Sequence, residues 1–456
     1  MATISSPGIG SGLDVNSIIT QLMAIEKQPL TKLQGAQSKI QTEISEVGKI
    51  KSALSSFRDA AAKLASTDFW RTTTGTSSNG AVSIATSSSA SPAQYSVDVT
   101  SLAKAQTIAA PAVASSTATL GTGTLTIQRA GGGDPFNITI DGTDTLAAIR
   151  DKINAAGAGV TASILNTGTG ARLMMRANAT GTDNAFTTTV TGTGLDGLTF
   201  NAATQTGGAT ASQPAANAAA TINNLPVTSQ SNTLTDVLDG VTLTLNAETA
   251  GPVTVDVAPD TDALKKALNE FASSYTTLAK TIVTATKYDA AAKKGGPLQG
   301  DSSIVGLQSQ LRAMVGGSSG ASTVFARLSD MGFEMQQDGS LTVNSTKLDK
   351  AIANLPELKA AFSNSSTTDA TLDGFGKRFR VLASTVLGVD GSLSSRTDGL
   401  NAKLQRNQKD QDRMQQRLDE TQKRLEKQYT ALDTQLGKLN GLNSYVSQQI
   451  TLWNKA

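Results

Sequence analysis

The residue types that carry most enzyme and metal chemistry are missing from this sequence. The 456-residue chain contains no His and no Cys. Their absence excludes Ser-His-Asp and Cys-His nucleophilic sites, imidazole or thiolate zinc sites and every disulfide. We therefore expect that the protein is not an enzyme and that it holds no cofactor and no metal.

Two groups of aspartates come nearest to an acid-base or calcium site. Asp141 lies close to Asp144, and Asp256 is followed by Asp260 and Asp262. Neither group has the ligand spacing of a calcium-binding loop. Both fall at expected turns or at an expected helix cap, so we predict structural roles for them.

A glycine-rich stretch near the N-terminus, GIGSGLD (8–14), has the composition of a phosphate-binding loop. Such a loop needs a preceding strand and usually a Lys or a downstream acid. Residues 1–7 are Ser-rich and too short for a buried strand, and the first Lys is Lys27. We interpret Gly8, Gly10 and Gly12 as an extendable leader and Asp14 as a helix N-cap.

The charge balance and the apolar runs exclude further classes of protein. The chain has 39 basic and 37 acidic residues, a formal net charge of +2, and only 4% aromatic residues. No field of one sign is available to collect nucleic acid, and few rings are available to stack on bases. Because no apolar run approaches the length of a membrane span and no secretory signal pattern opens the chain, we expect no membrane insertion and no cleaved signal peptide.

Helical patterns occupy both ends of the sequence. Within residues 30–64, Leu33, Ile40 and Val47 begin a repeat of seven that is typical of an amphipathic helix with a coiled-coil-like seam. Similar spacing follows Asp260 and recurs near residues 372–386, so three amphipathic helices can form a bundle. A β-hairpin is predicted between the last two, with its turn at Asp338-Gly339, where positive φ angles at both residues are expected.

The middle of the chain, residues 72–258, is rich in Thr, Ser, Gly and Ala and contains short alternating β-type runs. Residues 121–178 follow the pattern β-β-α-β-β, and similar β segments lie on both sides of this module. We therefore expect one β domain inserted into another. The Ala- and Thr-rich stretch 202–220 is expected to be a variable surface loop.

The last segment has the most regular pattern. Leu404, Gln411 and Leu418 start a repeat of seven that continues to Trp453, while most of the partner positions are polar. Such a narrow apolar seam gains too little burial to stay ordered alone, so both helical ends need partners. The predicted partner-contact residues are Ile18, Leu22, Ile25, Leu33, Ile40, Val47, Leu418, Leu425, Leu432, Leu439, Val446 and Trp453. The face formed by the first three is expected to dock on the C-terminal helix or on neighbouring subunits.

Several blocks of this sequence resemble those of one known family. The opening GIGSGLDVNSIITQLMAIEKQPL is similar to the first block of the flagellar hook-associated protein 2 family, the flagellar filament caps. Later blocks follow in the family's order: YSVDVTSLAKAQTI, LSDMGFEMQQDGSLTVNSTKLDKAIANLPELKAAFS and YTALDTQLGKLNGLNSYVSQQI. The module at 121–178 is similar to a small unit found repeatedly in hook-associated and flagellin-type proteins.

The resemblance implies an α+β, multidomain protein. It would have a terminal α-helical coiled-coil leg, a discontinuous helical-bundle domain with a β-hairpin, and two β-rich head domains, one inserted in the other. The expected domains are 1–30 (leader and N-terminal helix, D0), 31–71 with 259–395 (D1), 72–118 with 219–258 (D2), 119–218 (D3), and 396–456 (C-terminal coiled-coil helix of D0 and lower D1).

The resemblance also implies the function and the partners. It implies a homo-oligomeric ring, a pentamer or hexamer, at the filament tip that promotes flagellin folding and insertion. Export through the flagellar type III system is implied, and the expected partners are flagellin, the hook-filament junction protein and a flagellar export chaperone. Adhesion to host mucin or glycans is expected only as a secondary role. The alternatives are a flagellin-like or junction axial protein, and an extracellular adhesin.

Overall fold

The computed structural model describes residues 14–291 and 293–454. The predicted leader glycines Gly8, Gly10 and Gly12 lie outside these residues. The described residues form two compact units. Those up to Thr67 and from Leu264 onward make a helical unit, and Asp68–Ala263 make a β-rich unit.

The α-helices are α1 (Val15–Glu26), α2 (Gln28–Ala65), α3 (Leu146–Ala155), α4 (Thr261–Thr286), α5 (Ser302–Gly316), α6 (Ser345–Ile352), α7 (Leu355–Ser363), α8 (Phe375–Leu387) and α9 (Ser392–Trp453). Short 3-10 helices cover Phe69–Arg71, Thr182–Asn184, Asp196–Leu198, Leu328–Met331 and Ala370–Leu372.

The strands before residue 200 are β1 (Thr73–Ser77), β2 (Val82–Thr86), β3 (Ala93–Ser101), β4 (Thr107–Ala109), β5 (Thr122–Arg129), β6 (Phe136–Ile140), β7 (Val160–Asn166), β8 (Ala171–Ala177) and β9 (Phe186–Thr193). Those after it are β10 (Thr210–Gln213), β11 (Ala218–Ile222), β12 (Leu225–Ser229), β13 (Thr233–Leu238), β14 (Val241–Leu245), β15 (Val253–Pro259), β16 (Tyr288–Asp289), β17 (Lys294–Gly295), β18 (Phe333–Met335) and β19 (Leu341–Val343).

The helical unit is centred on aromatic rings from α2, α4 and α8. The ring centroid of Phe57 lies 5.3 Å from that of Phe271, 5.6 Å from that of Tyr275 and 5.2 Å from that of Phe379. All four side chains are fully buried. Each such pair stabilises the bundle by about 0.5–1.5 kcal/mol beyond its area burial. The predicted bundle of three amphipathic helices is confirmed.

The predicted hairpin is present as β18 and β19 and packs on this aromatic centre. The ring centroid of Phe333 lies 5.8 Å from that of Phe271. The turn differs from the expected type, because Gly339 has a positive φ of 83° while Asp338 does not. The carboxylate of Asp338 instead accepts a hydrogen bond from the Ser340 N–H at 2.9 Å, which fixes the turn through the side chain.

The outer part of the β-rich unit consists of two sheets that share one core. Their strand orders are β1-β15-β3-β11-β12 and β13-β14-β2. Alternate residues of both sheets are buried together, among them Val97, Val255 and Leu243. This is the alternation expected of half-buried antiparallel strands.

The inner part of the β-rich unit contains the predicted β-β-α-β-β module. Its sheets have the orders β6-β5-β9 and β10-β4-β8-β7. Helix α3 is capped by Thr145, whose hydroxyl accepts from the Ala148 N–H at 3.2 Å. The helix buries Leu146, Ile149 and Ile153 in the shared core. One β domain is therefore inserted into another, as the fold class predicts.

The boundary between these two parts differs from the expected one at 118/119. Strand β4 pairs with β8, and its Ile108 lies in the inner core. The crossing point is Lys104, whose N–H donates to the Ala216 carbonyl at 2.8 Å. Ala103 belongs to the outer core and Ala105 to the inner one. We therefore propose that the inserted domain begins near residue 104 and ends near residue 217.

The stretch 202–220 is not only a surface loop. It contains β10, which pairs with β4, and part of β11, which lies between β3 and β12. Ala209 within it is buried. Small side chains fit a closely packed sheet, and for this reason the low-complexity composition misled the sequence interpretation.

Candidate assembly surface at the helical ends

The first helix starts where the sequence predicts. The Asp14 carboxylate caps α1 by accepting from the Ser17 N–H at 2.9 Å. Helix α1 ends at Glu26, and α2 starts at Gln28 with Pro29 in its first turn. Proline suits this position because its missing N–H would have no partner in the helix.

Helix α1 packs on α9 through a different face from the predicted one. Val15, Ile19 and Met23 are buried in a cluster with Leu418 of α9. Leu30, Met414, Leu425 and Tyr429 border this cluster. The spacing of four between the three α1 residues is the signal that sequence reasoning missed.

The predicted face of α1 points away from α9. Ile18 is half-buried, whereas Leu22 is 36% exposed and Ile25 is 63% exposed. Docking of Leu22 and Ile25 on the C-terminal helix of the same chain is therefore wrong. The physical reason is that α1 has two neighbouring apolar stripes, and only one of them can face α9. The other stripe stays exposed.

The predicted residues of α2 contribute to contacts within the chain. Ile40 and Val47 are buried and Leu33 is half-buried. Helices α2 and α9 run antiparallel, because Lys51 contacts Ser394 while Leu33 contacts Asn407. These residues therefore stabilise the monomer, and little of their surface remains exposed for a partner.

The predicted residues of α9 become steadily more exposed toward its C-terminal end. Leu418 is buried and Leu425 is half-buried. The exposed fraction is 42% at Leu432, 59% at Leu439, 44% at Val446 and 85% at Trp453. Exposed Leu442, Tyr445, Ile450 and Leu452 lie beside them. We name these eight residues, Leu432, Leu439, Leu442, Tyr445, Val446, Ile450, Leu452 and Trp453, the distal apolar surface.

Charge decreases along α9 where exposed apolar residues increase. Residues 403–427 contain 13 charged side chains, whereas residues 428–454 contain only Asp433 and Lys438. The charged part is typical of a solvated helix face. The distal part combines exposed apolar area with few charges, which is the composition of a helix that binds a partner.

The aspartate pair considered for acid-base or metal chemistry is held by neighbouring groups. The Asp144 carboxylate accepts from Lys152 Nζ at 2.5 Å and from the Asp141 N–H at 2.7 Å. The hydrogen bond from Lys152, followed by that from Asp141, lowers the pKa of Asp144. Asp260 caps α4, since its carboxylate accepts from the Ala263 N–H at 2.8 Å. Both aspartates thus have structural partners.

Within residues 14–291 and 293–454, no cluster of carboxylates is arranged to hold a metal ion. In the same part of the chain, no helix combines the length and the apolar character needed to cross a membrane.

Family models match three parts of the chain. The model for the flagellar hook-associated protein 2 N-terminus matches residues 11–106, and that for the flagellar hook-associated protein 2 C-terminus matches residues 215–441. The flagellin hook IN motif matches residues 124–179. The last match coincides with the β-β-α-β-β module.

Full-length relatives are similar over nearly the whole chain. The flagellar hook-associated protein 2 of Escherichia coli strain K12 is 34% identical over 470 residues, covering 98% of each chain. That of Salmonella typhimurium is 33% identical over 473 residues, covering 100% of each chain.

A solved structure shows the same fold. The D1-D2-D3 domains of the flagellar cap protein FliD from Escherichia coli superpose with a TM-score of 0.65 at 32% identity. The match covers 78% of this chain and 99% of that one. The chain therefore belongs to the flagellar hook-associated protein 2 family, the structural cap proteins of the bacterial flagellum.

Proposed function

We propose that this protein forms a homo-oligomeric ring of five or six copies at the filament tip and promotes flagellin folding and insertion there. Family membership supports the cap role. The observation that carries the oligomer is the distal apolar surface, which has no covering element among the described residues.

The distal apolar surface supplies enough burial to drive association. Full burial of one Leu-sized side chain contributes about 1.5–3 kcal/mol. Because these side chains are between 42% and 85% exposed, covering all eight would contribute on the order of 7–14 kcal/mol, which can offset the loss of translational and rotational freedom. The open stripe of α1, with Leu22 and Ile25, extends the surface available to a neighbouring copy.

The same surface is the proposed binding place for the other partners. Flagellin and the hook-filament junction protein would present helices of matching pattern to it. An export chaperone would cover it before the chain passes the flagellar type III system. Binding of mucin or glycans by the β-rich unit is proposed on the resemblance alone.

The test removes two side chains of the distal apolar surface. We expect Leu439→Ala with Val446→Ala to weaken self-association about tenfold or more, since about 1.4 kcal/mol corresponds to a factor of ten. Sedimentation velocity of the purified chain measures the association. Filament length in cells that lack their own cap protein measures the function.

The matched control is Val389→Ala, which shortens a side chain that is 90% exposed but lies outside the distal apolar surface. It should leave both association and filament length unchanged. Normal association and normal filaments with the double variant would contradict the proposal.

A further inference from the structure

One layer between α2 and α9 is polar. Asn407 is buried and its Nδ2 donates to the Leu33 carbonyl of α2 at 3.2 Å. Gln411 Nε2 donates to Asn407 Oδ1 at 2.7 Å and to Gln37 Oε1 at 2.9 Å. We name these four residues, Leu33, Gln37, Asn407 and Gln411, the polar layer. A side chain bonded to a helix carbonyl competes with the helix ladder and favours bending.

Apolar burial is interrupted at the polar layer. On its bundle side, Leu393 and Leu400 of α9 are fully buried. On its far side, Leu418 is buried with residues of α1. Asn407 is the buried residue of α9 between Leu400 and Leu418. A small bend at this level therefore separates two apolar clusters without opening either.

Both helices carry a glycine close to the polar layer. Gly35 lies between Leu33 and Gln37, and Gly399 lies two turns before Asn407. A Cβ added at either glycine would meet no atom within 4 Å, and neither has a positive φ. Packing and backbone geometry thus give no reason for glycine here. Glycine weakens a helix interior relative to alanine.

The bundle side of the polar layer is held by an ion-pair network. Arg396 Nε lies 2.5 Å from Asp301 Oδ2, and its guanidinium lies 3.5 Å from Glu43 Oε2. The Asp301 side chain is 5% exposed. Its other oxygen caps α5 by accepting from the Ser303 N–H at 3.1 Å. Arg396 therefore fixes α9 to α2 and α5 about three turns before Asn407.

We propose that the polar layer, with Gly35 and Gly399, is a bending point in the two-helix leg formed by α2 and α9. The ion pair of Arg396 with Asp301 keeps the leg rigid on the bundle side of this point. The leg beyond this point changes direction while the bundle keeps its shape. Only the consequence for filament growth depends on the proposed cap function: the bending lets the legs accommodate each incoming subunit.

Pulsed electron-electron double resonance on the dilute, doubly spin-labelled full-length chain tests the bending point. Because the chain has no Cys, labels can be placed uniquely. Exposed Ser273 of α4 and Gln422 of α9 form the pair across the layer, and Ser273 with Ser384 of α8 forms the pair within the bundle. We expect the distance distribution across the layer to be at least twice as wide as that within the bundle.

A stiffened variant combines Gly35→Ala, Gly399→Ala and Asn407→Leu. We expect its distribution across the layer to narrow to the width found within the bundle. The control, Gly48→Ala with Gly306→Ala, changes two other helix glycines whose added Cβ would also meet nothing within 4 Å. It should raise the melting temperature and leave the distribution across the layer wide.

A narrow distribution in the unmodified chain, or an unchanged one in the stiffened variant, would overturn the proposal. If Asn407→Leu prevents folding, the two alanine substitutions alone are measured by the same criterion. These distances are measured on the dilute chain and do not depend on ring formation. The test of the bending point therefore remains valid if the proposed cap function is wrong. Filament elongation slowed by the stiffened variant supports the functional consequence, and unchanged elongation with a narrowed distribution contradicts it.

Discussion

Potential binding groups are covered or absent at three edge strands of the β-rich unit, whereas they are exposed on the distal part of α9. In the β-rich unit, the edge strand β7 is covered by Asn154 of α3, which donates to the Ala162 carbonyl at 3.0 Å and accepts from the Ala162 N–H at 2.7 Å. Lys152 donates to the Thr139 carbonyl of the edge strand β6 at 3.1 Å. Pro226 in the edge strand β12 has no N–H to offer.

The distal apolar surface of α9 has no such protection among the described residues. Edge strands with free backbone groups invite unwanted pairing, and natural proteins cover or interrupt them. The edge strands β7, β6 and β12 are thus covered or interrupted, whereas the distal apolar surface is exposed.

The largest expected effect separates core from surface. Phe186 is fully buried in the inner core of the β-rich unit, whereas Trp453 is 85% exposed. Phe186→Ala should lower the free energy of unfolding by about 3–5 kcal/mol, because it leaves a cavity. Trp453→Ala should leave the stability of the dilute monomer unchanged, and denaturant unfolding measures both. A destabilised Trp453→Ala monomer would break the contrast.

A smaller effect is expected at the covered edge of β7. Asn154→Ala leaves the N–H and the carbonyl of Ala162 without their partner, which should cost about 1–3 kcal/mol. It also uncovers the edge, so we expect light scattering to rise at temperatures where the chain remains folded. Asn166→Ala, at the exposed end of the same strand, is the control. Equal scattering from both variants would show that Asn154 does not protect the edge.

The smallest effect concerns pH. Hydrogen bonds from Lys152 and from the Asp141 N–H lower the pKa of Asp144, so ionised Asp144 stabilises the folded β-rich unit above the ordinary carboxyl range. That contribution is lost as the pH falls below about 4 toward the lowered pKa. The hydrogen bond to Asp144 raises the pKa of Lys152, so the contribution of this lysine is lost only as the pH rises through its raised pKa.

The pH prediction is tested with Lys152→Met, which keeps an unbranched side chain one atom shorter and removes its charge. Acid titration of the melting temperature should show a shallower decline between about pH 4 and pH 2 in the variant than in the unmodified chain. The distal part of α9 carries only the carboxylate of Asp433, so its helix content should differ little between the variant and the unmodified chain. Identical acid profiles for both chains would contradict the assigned role of Lys152.

Local signals in the sequence were sufficient for α1, α2, α3, α4, α8 and α9, for the caps of α1 and α4 and for the main β module, but not for α5, α6 and α7. Asp14 and Asp260 cap helices because a side-chain oxygen next to free N–H groups acts within one turn. The repeat of seven places Ile40, Val47 and Leu418 in buried positions because the helix period alone decides which side chains share a face. Both kinds of signal are short in range.

Contacts between distant segments were beyond the sequence. The choice between the two apolar stripes of α1 depends on the position of Leu418, some 400 residues away. The membership of β4 in the inner core depends on its pairing with β8. The polar seam of α9 was recognised, yet the hydrogen bond from Asn407 to the Leu33 carbonyl needed the antiparallel alignment of two helices. The direction of each contact is set by tertiary packing, which periodicity does not encode.

The crossing at Lys104 and Ala216 has a consequence for how this protein can diversify. The two backbones exchange hydrogen bonds of 2.8 Å and 3.1 Å there. The two connections between the inner part and the outer part of the β-rich unit therefore lie side by side. Insertions, deletions or wholesale exchange of the roughly hundred residues between them can be accommodated while β3 and β11 stay in register. The inner part of the β-rich unit can therefore vary in sequence and length while the outer part keeps its strand pairing.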